Sequence, residues 1–179
     1  MKLELNKIYH GDCLELMKDI PDKSVDVLLS DIPYGIDYQS AKRIDKNQRF
    51  DKIANDKKPF IDFIKGVPRI LKNDGAVMLF TRWDVQQVYI DELAKNGFKT
   101  KSVIIWDKMA HSMGDLKQSY GSTYESIIFA PNKDFEFPNG RPVDIMRCPR
   151  VSSDKLKHPN EKPVELMCAL IRQTTKMGG

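Results

Sequence analysis

Short apolar runs rich in Val, Ile and Phe alternate along the chain with longer segments whose apolar residues recur at helical spacing. A strand covered on both faces reads as a continuous apolar run, so this alternation predicts an α/β domain with a buried, mostly parallel sheet. Strands are predicted near residues 7–10, 25–30, 76–81, 101–106 and 124–130. Between them Phe60, Phe63, Ile64, Val67, Ile70 and Leu71 keep helical spacing. Pro68 is expected to kink that helix, and Asn73-Asp74-Gly75 to punctuate the step into the next strand. Val85, Val88, Tyr89, Leu93 and Ala94 mark a second helix that closes at Asn96-Gly97. The last helix opens at Pro163 and runs through Leu166, Leu170 and Ile171 toward Lys176. Two stretches, 40–59 and 131–159, show no period and are expected to be irregular, the first a mobile basic loop. No repeat or linker divides the chain, so residues 1–179 read as one domain.

Composition narrows the classes. Of 179 residues, 41% are hydrophobic and 30% charged, enough for one buried core and unlike a disordered chain. The longest apolar runs, at 25–29, 76–80 and 103–106, fall far short of the roughly 20 residues of a bilayer helix. The amino terminus lacks an apolar signal core, so no membrane partner is expected. Cys13, Cys148 and Cys168 form no Cys-x-x-Cys pair, which favours neither a disulfide framework nor a metal site and suggests a reducing cytoplasm. The net charge of +4 is concentrated before Pro59, where Lys42, Arg43, Lys46, Arg49, Lys52, Lys57 and Lys58 outweigh Asp45, Asp51 and Asp56. Such a stretch is either a solvated loop or one that contacts phosphate.

The segment richest in chemistry is the predicted strand that ends in Asp31-Ile32-Pro33-Tyr34. In open α/β sheets ligands bind outside the carboxyl ends of strands, which is where these four residues would sit. Taken singly each also has a structural explanation: Asp31 an Asx-turn, Pro33 a plain turn, Tyr34 the cover of an edge. Asp12 is similarly double, since with Glu15 it makes a helix capping box.

The four residues resemble the catalytic motif of the amino-group DNA methyltransferases, marked by the tetrapeptide Asp-Pro-Pro-Tyr. His10-Gly11-Asp12-Cys13-Leu14-Glu15 resembles the opening of these enzymes, and Arg69-Ile70-Leu71-Lys72 with Gly75 their next helix-to-strand step. Trp106-Asp107-Lys108 and Glu125-Ser126-Ile127-Ile128-Phe129 resemble later strands, and His158-Pro159-Asn160-Glu161-Lys162-Pro163 the motif before the cofactor half. Their order is that of the β-group. The resemblance implies a Rossmann-like, doubly wound methyltransferase sheet, mostly parallel with one antiparallel strand. It implies methyl transfer from S-adenosylmethionine to the N6 amino group of a flipped adenine in double-stranded DNA, as in restriction-modification. The alternatives are a cytosine-N4 enzyme, or an inactive remnant that keeps only DNA or partner binding.

The chemistry behind the motif can be stated physically. An exocyclic amino group is a poor nucleophile because its lone pair is delocalised into the ring. Acceptors held at its two N–H groups favour a pyramidal nitrogen and aim the lone pair at a methyl sulfonium. By resemblance Asp31 supplies a carboxylate, Ile32 its backbone carbonyl, Pro33 the turn, and Tyr34 a ring that stacks on the extruded base. Ile32 replaces the usual first proline, and Pro33 still biases it toward extended backbone. Asp12, Cys13, Asp31, His158, Asn160, Glu161, Lys162 and Pro163 are expected at the cofactor, with Lys162 and the start of the last helix near its carboxylate. Lys42, Arg43, Lys46 and Arg49, which follow the catalytic turn, are expected on DNA, as are Lys108, Arg147 and Arg150. Members of the family continue beyond the last helix into another strand and the loop Asp-Pro-Phe-x-Gly-Ser-Gly, whereas this sequence stops at Met177-Gly178-Gly179. The sheet is therefore expected to be incomplete at its C-terminal cofactor half. That leaves an open edge on 25–30 for a homodimer, or a terminal segment, to cover.

Overall fold

The computed structural model describes residues 4, 6–35, 58–111, 117–152, 154–158 and 160–176. Five strands, β1 (Val25–Asp31), β2 (Leu71–Thr81), β3 (Ser102–Asp107), β4 (Tyr124–Pro131) and β5 (Ile145–Arg147), form one sheet in the order β1-β2-β4-β3-β5. β1 pairs with β2, and β3 with β5, in parallel; β4 runs antiparallel to both β2 and β3. One reversed strand in an otherwise parallel sheet is the arrangement that the family resemblance implies.

The apolar runs explain why the sheet is covered on both sides. In β2, Val77 and Leu79 face one core cluster while Ala76, Met78 and Phe80 face another, and in β4 Ile128 and Ala130 oppose Ile127 and Phe129 in the same way. The first cluster packs against α2 (Val67–Ile70) and α3 (Gln86–Lys95) through Val67, Tyr89 and Leu93, with Leu14 of α1 (Cys13–Leu16) beside it. The second packs against α4 (Val164–Thr174) through Leu166 and Leu170. Each fully buried Leu, Ile or Val contributes about 1.5–3 kcal/mol relative to exposure. Among the described residues no helix is long and apolar enough to cross a membrane.

Several elements differ from expectation. Residues 7–10 form no strand, and Ile8 is fully exposed; one apolar side chain without alternating neighbours gives a strand no face to bury. The helix expected over 60–71 is instead a 3-10 turn, Asp62–Gly66, followed by the single turn of α2. Pro68 lies in that first turn, where its missing N–H costs nothing, rather than kinking a longer helix. Leu71 already belongs to β2, whose pairing jumps from Val25↔Leu71 to Val27↔Ala76, so Asn73-Asp74-Gly75 forms an irregularity inside the strand. Residues 131–159 are not wholly irregular either, because β5 lies within them.

The register gathers one end of the sheet. Asp31 is level with Phe80, Phe80 with Ile127, and Trp106 with Glu125. The carboxyl ends of β1, β2, β3 and β5 therefore meet the start of β4. At the other extreme of the strand order, β1 forms the sheet's edge, with no strand on its outer side among the described residues.

Candidate active site

The turn that leaves β1 is clamped from several sides. Ile32 is buried in the first core cluster. The Pro33 carbonyl accepts a hydrogen bond from the Tyr89 hydroxyl at 3.0 Å, and one from the Phe60 amide at 3.5 Å. Tyr34 forms an antiparallel bridge with Pro59. Gly35 has φ +80°, and a Cβ there would lie 2.6 Å from the Lys58 carbonyl carbon, so only glycine lets the two backbone stretches approach this closely. The chain thus leaves and returns through a narrow neck beside Asp31.

The polar side chains at this end form a chain of charges. Asp31 Oδ1 accepts from the Tyr34 hydroxyl at 2.6 Å, and Asp31 Oδ2 lies 2.8 Å from Lys162 Nζ. The same ammonium is 3.1 Å from Glu125 Oε2, and Glu125 Oε1 is 3.5 Å from Lys108 Nζ. Lys162 Nζ also lies over the rings of Phe80 and Trp106, 5.1 and 5.9 Å from their centroids. Two carboxylates and two ring faces are what a largely desolvated ammonium needs. Side-chain exposure is 10% at Lys162, 15% at Lys108, 21% at Glu125 and 26% at Asp31, so Asp31 is the member that solvent reaches best. Burial first, then the negative charges of Asp31 and Glu125, push the Tyr34 phenol far above its ordinary range, and it remains a hydrogen-bond donor to Asp31.

The residues singled out in the sequence fall into distinct places. Asp31, Tyr34 and Lys162 come together. The Tyr34 hydroxyl turns toward Asp31, and its ring packs against the second core cluster. Lys162, expected near a cofactor carboxylate, faces Asp31 and Glu125. Asp12 caps α1, accepting from the Leu14 amide at 2.8 Å. Glu15 turns to Lys18 rather than closing a capping box. Cys13, the first residue of α1, is exposed. In the segment before α4, His158 Nδ1 accepts from the Asn160 amide, Glu161 accepts from the Lys157 amide, and Pro163 is the N-cap of α4. Asp12 thus belongs to the helices on the first cluster's face and Lys162 to the rings of the second, on opposite sides of the sheet.

Lys108, expected on DNA, points inward to Glu125. Arg147, 3.8 Å from Asp107, and Arg150 are exposed. Lys42, Arg43, Lys46 and Arg49 lie outside the described residues. Glu125, which joins both lysines to the site, was not among the candidates; its one signal is a lone acidic residue entering an apolar strand. Among the described residues no group of three or more His, Cys, Asp or Glu side chains is arranged to hold a metal ion. A groove of about 390 Å³ lined by Met78, Ile104, Phe129, Arg141 and Val143 lies toward the start of β3, away from Asp31.

Residues 25–145 match the N6/N4 methyltransferase family model, described as DNA methylase. Among curated proteins, the chain is 27% identical over 166 residues to the type II methyltransferase M1.MboII of Moraxella bovis, covering 90% of this chain and 58% of that enzyme. It is 31% identical over 131 residues to the DNA adenine methyltransferase YhdJ of Escherichia coli (strain K12), covering 70% of this chain and 40% of that one. Similar solved structures include the M1.HpyAVI-SAM complex, at TM-score 0.66, 21% identity and coverage of 94% of this chain and 76% of the other. The cytosine-N4-specific PvuII DNA methyltransferase has TM-score 0.65 and 17% identity, with 94% and 70% coverage. The chain spans less than two thirds of the length of both curated relatives.

Proposed function

The chain belongs to the DNA methylase family, and on that premise we propose that it carries the catalytic centre of an S-adenosylmethionine-dependent transfer of a methyl group to adenine N6 in double-stranded DNA. The observation that carries this reading is Asp31, a partly exposed carboxylate at the carboxyl end of β1 with each oxygen held by a different donor, Tyr34 and Lys162. A carboxylate offers about four lone-pair positions, so these two contacts orient Asp31 and leave it able to accept from a substrate N–H. The Ile32 carbonyl takes the second N–H. As the nitrogen attacks, positive charge develops on it beside a fixed anion, which favours the transition state over the bound base.

The residues fit the cofactor. Asp31 suits a sulfonium or ammonium, and Lys162, held between Asp31 and Glu125, fixes its orientation. Asp12 and Cys13 from one side of the sheet, and the residues of 158–163 from the other, would have to meet across its carboxyl end to hold the remainder. When bound, S-adenosylmethionine supplies an electrophilic methyl group on sulfur. Aspartate at the first motif position, together with the likeness to an adenine methyltransferase, supports N6 over N4. Among the described residues no strand lies outside β1, which supports a homodimer, since an open sheet edge is a template for a second copy.

The test is transfer of tritium from labelled cofactor to mixed-sequence DNA, followed by nucleoside analysis. Label in N6-methyladenine, lost on Asp31→Ala by at least about 10²-fold, is the expected result. Transfer unaffected by Asp31→Ala would remove the mechanism. Label in N4-methylcytosine would move the target to cytosine, and no transfer would leave binding alone as the function.

A further inference from the structure

Asp31, Lys162, Glu125 and Lys108 form a row of charges that alternate in sign. Glu125 stands between the two lysines. Its Oε2 is buried and has no aligned hydrogen-bond donor, although Lys162 Nζ is 3.1 Å away. What Glu125 gives Lys162 is therefore charge rather than a directed bond. We propose that Glu125 is a positioning residue for methyl transfer: by offsetting the ammonium of Lys162 it lets Asp31 act as a net anion at the substrate nitrogen. This inference rests on the DNA-methylating function above and assigns that site a further residue.

An ammonium 2.8 Å from Asp31 Oδ2 orients that carboxylate, but it also cancels part of its charge. When the N–CH3 bond forms, the electron pair of the breaking S–CH3 bond stays on sulfur, so positive charge passes to the nitrogen and leaves it with an N–H proton. Charge arriving beside Asp31 is repelled by Lys162 unless a second anion offsets that ammonium. Glu125 is that anion, and because both side chains are mostly buried, water and salt screen the pair little. Strand alternation puts it on the required face. Ile127 and Phe129 of β4 belong to the second core cluster, and Glu125 shares their parity, on the side where Lys162 lies over Phe80 and Trp106. Lys108 anchors Glu125 in turn. The Lys108 amide donates to the Thr123 carbonyl at 2.8 Å, just before β4, and Lys108 Nζ is 3.5 Å from Glu125 Oε1. Lys108 stands one contact further along the row from Asp31, so its charge is felt less at the nitrogen than that of Lys162.

Steady-state kinetics provide the test, with tritium-labelled S-adenosylmethionine and mixed-sequence duplex DNA. Glu125→Gln keeps the shape and removes the charge. Its kcat is expected to fall about 10- to 100-fold, with a smaller change in KM for DNA and for cofactor, because the offset matters most as the nitrogen becomes cationic. Glu125→Asp keeps the charge on a shorter stem and should retain more kcat than Glu125→Gln. A purely structural role would reverse that order, since glutamine fills the space better than aspartate. Glu125→Gln leaves two lysines without their shared anion and can lower stability, so a second variant, Lys108→Met with Glu125→Gln, removes the outer pair as a neutral unit. It should keep the circular dichroism of the wild type and still lose kcat. Wild-type transfer with kcat unchanged in Glu125→Gln and in the double variant would overturn the positioning role while leaving the proposed function standing. A change in KM alone, or a Glu125→Asp variant slower than Glu125→Gln, would overturn it equally. A wild-type chain that transfers no methyl group would overturn the function on which the role rests.

Discussion

Replacing Lys162 by methionine keeps the apolar stem over Phe80 and Trp106 but removes the ammonium between Asp31 and Glu125. Two carboxylates then share a poorly hydrated site, so the expected loss is about 2–4 kcal/mol, read as a lower urea midpoint. Adding Glu125→Gln to that variant should recover part of the loss, and the double-mutant cycle measures how much the pair is coupled. Tyr34 makes a separate prediction. Its phenol is held protonated in the fold, whereas the unfolded chain releases that proton above pH about 10. The unfolded state then binds fewer protons than the native one, so stability falls as pH rises past that point. The wild type should therefore lose more stability between about pH 9 and 11 than Tyr34→Phe does, in paired denaturation series, because the difference removes the other tyrosines from the comparison.

At the scale of elements, the neck at 34–35 and 58–60 is the most demanding piece of backbone. Gly35→Ala introduces both a left-handed strain and a Cβ at 2.6 Å from backbone, and is expected to cost about 2 kcal/mol or more. Tyr89→Phe removes only the hydroxyl that reaches the Pro33 carbonyl and should cost about 1 kcal/mol. Both are measurable by thermal denaturation. The elements legible in the sequence were those with a sustained period. α3 and α4 came from their apolar stripes, and the close of α3 from Asn96-Gly97, where Gly97 has φ +85°. β5 was hidden because it is three residues long and only Met146 of it packs on the core, with Ile145 and Arg147 exposed. The stretch at 60–71 misled because a 3-10 turn, a helical turn and the start of a strand can share one apolar spacing. The site was legible as far as Asp31 to Tyr34, which are contiguous. Glu125 comes to it through the pairing of β2 with β4, and Lys108 through that of β3 with β4, which no local pattern announces.

For the whole molecule, the two-sided burial of β2 and β4 sets the rigid centre, and β1 carries the candidate chemistry on the rim of that centre. If a second copy pairs along β1, the outward amides of Val25–Asp31 should gain protection from hydrogen exchange as protein concentration rises, in step with a doubling of sedimenting mass. Concentration-independent exchange would leave β1 an edge in solution. The neck has a consequence at this scale too. Because Tyr34 meets Pro59, and Pro33 meets Phe60, the two ends of the intervening stretch are pinned together beside Asp31. Loop closure depends only weakly on length once the ends are fixed. With the neck holding both ends, doubling the number of residues between Gly35 and Lys58 is expected to cost only about 0.6 kcal/mol of stability, read as a small shift in the urea midpoint.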